Sequence, residues 1–280
     1  MRNLDQHTIT QEVIDRFADT PDPRLKEIIN CLVRHLHDFA RDVRLTEDEW
    51  TNGIAFLTGT GQKCDDKRQE FILLSDVLGL SMLTVAMNHA KPAECTEATV
   101  FGPFYVEGAP HYDNGGDVAN GAAGEPCDVG GTVRDIAGHP IAGARIDVWQ
   151  ADSEGMYDVQ RSELDQLQGR GVLRSDEEGA YRFHSVLPVA YPIPTDGPVG
   201  ALLQATRRHP WRPAHLHFRI EAPGYETLVT HVFREGDPWL DSDAVFGVRQ
   251  SLIAPWVRRE DGGYALHYDF VLNRIGAPRT

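Results

Sequence analysis

The chain has 280 residues, enough to bury a sizeable core in one large domain or two smaller ones. Its 27 Lys and Arg against 42 Asp and Glu leave a net charge of −15, which argues against nucleic acid or an anionic membrane as partner, since both want a basic face. No uncharged apolar run reaches the 18 residues of a spanning helix, and residues 1–7 lack the apolar stretch of a signal peptide, so a cytoplasmic location is expected.

In chain order, the first signal is helical. Between residues 23 and 43, apolar side chains fall at Leu25, Ile28, Ile29, Leu32, Val33, Leu36, Phe39, Ala40 and Val43, the i, i+3, i+4, i+7 stripe of an amphipathic helix. Thr46 with Glu49 has the spacing of a capping box that opens the next helix. A third helix is predicted from about residue 65 to 89. Its stretch 71–87 is apolar on most faces and should be buried, between other elements or between subunits. Asp76 interrupts that apolar run and reads either as a solvated or salt-bridged acid or as a buried one that needs a partner.

After Pro92 the texture changes. Residues 108–131 are rich in Gly, Asn, Ala and Asp and read as an irregular linker. Short alternating runs follow at 131–134, 144–148, 181–186, 215–220, 228–233 and 268–272. Strands of this length and spacing predict a β-sandwich. The expected class is therefore α+β, a helical N-terminal part (1–107, with the start of the linker) followed by a β-sandwich (108–280). Cys31, Cys64, Cys95 and Cys127 are far apart with no C-x-x-C and read as ordinary thiols.

The chemistry concentrates in Arg212-Pro213-Ala214-His215-Leu216-His217-Phe218. On a strand, His215 and His217 share one face about 7 Å apart along the chain, while Leu216 and Phe218 face the core. Two imidazoles on one face can chelate a metal, although histidines on a half-exposed strand also occur without one. Tyr157 leaves a predicted strand through the acidic loop Asp152-Ser153-Glu154-Gly155-Met156, and Tyr191 precedes the rigid segment Pro192-Ile193-Pro194-Thr195-Asp196-Gly197-Pro198. Each tyrosine is either packing against its turn or completing the ligand set. Two phenolates with two imidazoles form a hard, electron-rich set suited to ferric iron.

These stretches, with Glu97-Ala98-Thr99-Val100-Phe101-Gly102-Pro103-Phe104 and Ile146-Asp147-Val148-Trp149-Gln150-Ala151-Asp152, resemble the intradiol ring-cleaving catechol dioxygenases over nearly the whole chain. Within that family the chain looks most like the hydroxyquinol 1,2-dioxygenases, through Pro194-Thr195-Asp196-Gly197-Pro198-Val199-Gly200, Arg208-His209-Pro210-Trp211-Arg212-Pro213 and Leu240-Asp241-Ser242-Asp243-Ala244-Val245-Phe246-Gly247-Val248. The resemblance implies one non-haem Fe(III) per subunit, with Tyr191 and His217 axial and Tyr157 and His215 equatorial. It further implies an aromatic diol or triol and O2 as substrates, ring opening between the hydroxyl-bearing carbons, and both oxygen atoms in the diacid product.

By the same resemblance Arg212 stabilises carbanionic charge on the ring, with Pro213 turning it toward the metal. Tyr191 takes up a substrate proton, and His231 stands where many catechol 1,2-dioxygenases carry glutamine. Leu73, Asp76, Val100, Phe101, Gly102, Pro103, Phe104, Ile193, Pro194, Arg212 and Val245 match positions lining the family's substrate pocket. Asp76 is then a candidate partner for a third hydroxyl. The helical part is expected to join two subunits, with room for a bound lipid at the interface.

Three rivals stand beside this reading. A catechol or chlorocatechol specificity differs only in a ring substituent, worth ~1–3 kcal/mol in a pocket. His111-Tyr112-Asp113 and His267-Tyr268-Asp269 are each half of a ferrous facial triad. Residues 131–144 also resemble transthyretin-like sandwiches that only bind.

Overall fold

Three helices open the chain, α1 (Ile9–Arg16), α2 (Pro23–Asp42) and α3 (Glu47–Gln62). Asp22 caps α2 by accepting from the N–H groups of Arg24 (2.8 Å) and Leu25 (3.3 Å), and Pro23 takes a first-turn position where its missing N–H costs nothing. Thr46 and Glu49 form the expected reciprocal box, with Thr46 N–H donating to Glu49 Oε2 (2.9 Å) and Glu49 N–H to Thr46 Oγ1 (3.3 Å). The computed structural model describes residues 2–65, 68–260 and 262–276, and the chain clusters into two units, Met1–Gly59 and Thr60–Thr280. The predicted stripe of α2 is left at the surface, with Leu25, Ile28, Leu32, Leu36, Phe39 and Val43 all between 46% and 56% exposed.

The expected single third helix is two helices, α4 (Glu70–Val77) and α5 (Leu80–Asn88), bent 77° from one another. Gly79 sits between them at φ +75°, a left-handed conformation that ends the helical ladder and that L side chains rarely adopt. The apolar stretch is only partly buried within this chain. Leu73, Val77 and Met82 are inside, whereas Phe71, Ile72, Leu78, Leu80, Leu83 and Met87 face outward.

The strands follow: β1 (Gly116–Asp117), β2 (Pro126–Asp135), β3 (Arg145–Trp149), β4 (Arg170–Arg174), β5 (Ala180–Val186), β6 (Tyr191–Pro192), β7 (Trp211–Arg212), β8 (His215–Glu221), β9 (Leu228–Arg234), β10 (Ile253–Ala254), β11 (Trp256–Arg258), β12 (Tyr264–His267) and β13 (Phe270–Leu272). One sheet runs β1-β5-β2-β12-β11, with β13 also pairing β2, and the second runs β10-β9-β8-β3-β4. Val129, Val133, Tyr181, Phe183, Leu266 and Phe270 of the first sheet share one core with Ile146, Val148, Leu173, Leu216, Phe218, Ile220 and Val232 of the second. The linker expectation needs correction. β1 pairs parallel with β5 inside it, and β2 starts at Pro126, because alternate side chains from Cys127 onward bury against the sandwich core. The rigid segment after Tyr191 likewise leads into a helix, α6 (Pro198–Ala205), begun by Pro198.

Candidate metal centre and active site

On β8 the alternation is as expected. Leu216, Phe218 and Ile220 join the sandwich core, and His215 and His217 project from the opposite face, both buried. Antiparallel pairing sets His217 opposite Trp149 of β3 and His231 of β9. Trp149 stacks on the His217 ring at 4.6 Å, and His231 meets it edge-on at 4.2 Å. His215 Nδ1 is 2.7 Å from the carbonyl oxygen of Pro213. That bond uses the Nδ1 proton and leaves Nε2 as a lone-pair donor.

Both tyrosines arrive from loops on this same side. The 3-10 turn Asp158–Gln160 begins at Tyr157, and Tyr191 lies in β6, paired with β7 so that it stands opposite Arg212. Tyr157 Oη is 2.8 Å from His217 Nε2 and 3.3 Å from Tyr191 Oη, and the Nε2 atoms of His215 and His217 are 3.1 Å apart. Donors bound about 2.0–2.1 Å from one ion, at near right angles, stand about 3 Å from each other. Linked in the order Tyr191, Tyr157, His217, His215, the four heteroatoms are therefore spaced to share a cation. His215 Nε2 has given up its proton position, and buried His217 Nδ1 has no partner among the described residues.

The electrostatics point the same way. Burial, then the neighbouring Arg212 charge, pushes His215 down to about 3. Burial also holds His217 and His231 well below the usual imidazole range, so all three stay neutral and able to ligate. Burial, then the neighbouring Tyr191, raises the Tyr157 phenol well above its ordinary value. A metal at this point must therefore displace its proton.

Arg212 is buried with Nη1 3.5 Å from Tyr191 Oη and 3.3 Å from His215 Nε2. It lies on β7, a strand separate from β8, so the expected turn at Pro213 is realised as a break between two strands. His231 does not hydrogen-bond to Tyr157, Tyr191, His215 or His217. Its Nδ1 is 3.0 Å from Thr99 Oγ1, while its Nε2 is buried without a partner among the described residues. His215, His217 and His231 form the one His, Cys, Asp and Glu cluster with metal-ligand spacing among the described residues. The H-x-D pairs take no part in it. His267 and Asp269 are surface residues 3.5 Å apart, with Asp269 accepting from Thr132.

The pocket candidates fall into two groups. Leu73, Asp76, Pro103, Phe104 and Pro194 line a cavity of about 750 Å³. Leu73 also packs with Val100, Ile193 and Val245 in one buried apolar cluster. Phe104 stacks on Tyr157 at 4.2 Å, and Gly102 lies so close to the His217 ring that a Cβ there would be 3.3 Å from Cε1. Phe101 turns aside, edge-on to Tyr105 at 4.8 Å and partly exposed. Asp76 is buried, and burial raises its carboxyl despite a hydrogen bond from Ser81.

Two acidic partners escaped the sequence reading. Asp158, next to Tyr157, holds the fully buried Arg170 through both carboxylate oxygens, and Arg170 Nη1 donates to the carbonyl of Phe104 (2.9 Å). Asp243 pairs with Arg212 at 3.1 Å. The position of Asp158 beside a candidate ligand is the one local signal that could have flagged it.

Two imidazoles and two phenols thus meet beside the β-sandwich, and the comparisons with known proteins say which class of protein carries them. Residues 100–274 match the family model described as Dioxygenase, and residues 22–96 match Catechol dioxygenase N terminus. The chain belongs to the intradiol ring-cleavage dioxygenases, a family of non-haem iron enzymes. It is 68% identical over 273 residues to a 6-chlorohydroxyquinol 1,2-dioxygenase of Cupriavidus pinatubonensis, covering 98% of this chain and 99% of that protein. A hydroxyquinol 1,2-dioxygenase of Nocardioides simplex is 54% identical, over 92% and 87% of the two chains. The crystal structure of hydroxyquinol 1,2-dioxygenase from Pseudomonas putida superposes with a TM-score of 0.91 at 50% identity, over 96% and 98%.

Proposed function

We propose that this chain is a non-haem Fe(III) intradiol dioxygenase that opens hydroxyquinol (1,2,4-trihydroxybenzene) with O2 to 3-hydroxy-cis,cis-muconate, which tautomerises to maleylacetate. The observation that carries the reading is the convergence of Tyr157, Tyr191, His215 and His217, with heteroatom separations of 2.8–3.3 Å, inside the protein. These four would hold one iron per subunit. When bound, iron supplies a Lewis-acidic centre that binds vicinal hydroxyls and draws electron density from the ring.

The chain's own side chains do the rest. Tyr191 Oη, within reach of Arg212 Nη1, takes the proton of an incoming hydroxyl. Arg212 provides a fixed positive charge toward the ring as it becomes anionic. The apolar cluster of Leu73, Val100, Ile193 and Val245 excludes water and packs the ring, and Pro103, Phe104 and Pro194 form the cavity wall. Asp76, raised by burial and protonated more readily than an exposed acid, hydrogen-bonds the third hydroxyl. The relative named for 6-chlorohydroxyquinol favours ring-chlorinated hydroxyquinols as further substrates. We also infer a cytoplasmic homodimer, with the helical part (1–107) as its joint and a lipid held there, and the sandwich (108–280) carrying the iron.

The test is the visible spectrum of the iron-loaded protein, with and without hydroxyquinol in the absence of oxygen. A broad phenolate-to-iron band that shifts on adding substrate is expected. A colourless protein that keeps no iron after reconstitution overturns the proposal. Within it, Asp76→Ala should lower kcat/KM for hydroxyquinol by about 10-fold more than for catechol, the size of one hydrogen bond to a buried acid. Equal losses would remove Asp76 from substrate recognition.

A further inference from the structure

Asp243 sits in the loop after the 3-10 turn Leu240–Ser242, is 5% exposed, and meets only donors. Its Oδ1 accepts from Arg212 Nε (3.1 Å) and from Val245 N–H (3.3 Å). Its Oδ2 accepts from Arg212 Nη2 (3.4 Å) and from Gly247 N–H (2.9 Å). Two of the three guanidinium nitrogens are thereby occupied along one edge, and the remaining nitrogen, Nη1, is the one facing Tyr191 and His215. Among the described residues Arg212 has no second carboxylate within ion-pair distance.

The loop is shaped around this pair. A Cβ on Gly247 would stand 3.1 Å from both Arg212 Nη2 and Asp243 Oδ2, so a side chain there would push the pair apart. Phe246 is held at φ +60°, an uncommon conformation for an aromatic residue, of the kind that persists where surroundings over-determine it. The same turn carries Val245 into the apolar cluster beside Leu73 and Ile193.

We propose that Asp243 is a positioning residue: it fixes the aim of Arg212 so that Nη1 alone faces the ring, and it ties that aim to the loop carrying the Val245 wall. This rests on the dioxygenase reading above. Freed of Asp243, a buried guanidinium would turn its Nε edge to the nearest acceptors, which include the Tyr191 oxygen that must be free to take a proton. Loss of Asp243 should therefore slow the chemistry and leave substrate affinity nearly untouched.

The experiment is a double-mutant cycle on the iron-loaded enzyme with Asp243→Asn, Arg212→Gln and the combination, measuring kcat, melting temperature and the substrate Kd without oxygen. Asp243→Asn is expected to lower kcat by about 100-fold with Kd changed less than about 3-fold, and to add less than about 3-fold to the loss in Arg212→Gln. Additive losses in kcat, or a Kd weakened in step with kcat, would overturn the proposal and assign Asp243 to the scaffold. An amide faces donors on both sides, so Asp243→Asn alone could fail to fold. Comparing Arg212→Gln with the double variant then decides, with equal kcat supporting the proposal and a further large loss refuting it. Wild-type turnover keeps the two readings apart. No ring cleavage by wild type removes the dioxygenase reading and this inference with it, whereas active wild type with additive losses removes the inference only.

Discussion

His215, His217 and His231 crowd within 4.8 Å of one another around their ligating atoms, beside a guanidinium, with essentially no water contact. Each is neutral in the fold, and each would take up a proton in the unfolded chain below the ordinary imidazole value of 6.5. Between that value and the depressed folded one, the unfolded state binds more protons, so stability rises with pH and falls with acid. For His215 the window runs from 6.5 down to about 3. The metal-free protein should keep the whole of this contribution above about pH 7 and lose up to about 1.4 kcal/mol per pH unit for each imidazole below it. Urea midpoints measured from neutral pH to about pH 5 check this, and a flat profile would mean that the imidazoles are solvated. At this scale the ligand residue types and the H-x-H alternation were legible in the sequence. Asp243, Asp158 and Arg170 were not, because a buried ion pair leaves no local pattern: its halves lie 31 residues apart in one case and 12 in the other.

Elements with strong periodicity came through in the sequence. Helix α2 spans Pro23–Asp42 as the stripe requires, and β3, β5, β8 and β9 lie where alternating runs mark them. The failures have specific physical causes. The bend between α4 and α5 depends on one left-handed glycine inside a run whose composition is helical throughout. Strand β4 is hidden because four of its five residues, Arg170–Leu173, are buried, leaving no alternation to read. Strand β12 exists chiefly through its pairing with β2 and β11, a long-range fact. The cavity walls behave likewise. Leu73 and Asp76 on α4, Pro103 and Phe104 in a loop, and Pro194 after β6 converge only once the sandwich has formed.

For the molecule as a whole, the outstanding feature is apolar surface in an otherwise acidic chain. The stripe of α2 and Trp50, Ile54 and Leu57 on α3 are each about half exposed, and apolar side chains exposed in such number mark a candidate interaction surface. If these faces join two subunits, paired charges on α2 should separate them. The double substitution Leu32→Glu/Phe39→Glu is expected to shift the molecule from twice the chain mass to the chain mass by light scattering, and the spectrum of the iron site should be unchanged. A wild-type protein that is monomeric at micromolar concentration would refute the subunit joint and leave the catalytic reading intact.

The heptapeptide of β8 has one further implication. His215 and His217 face the candidate cation site and Leu216, Phe218 and Ile220 the sandwich core, so a slip of one residue against β3 and β9 would send Leu216 and Phe218 outward and both imidazoles into the oil. Tyr157 and Tyr191, delivered from other segments, meet the histidines in a single alignment of that strand. If iron binds as proposed, the colour of the loaded protein would therefore report the register of this one strand.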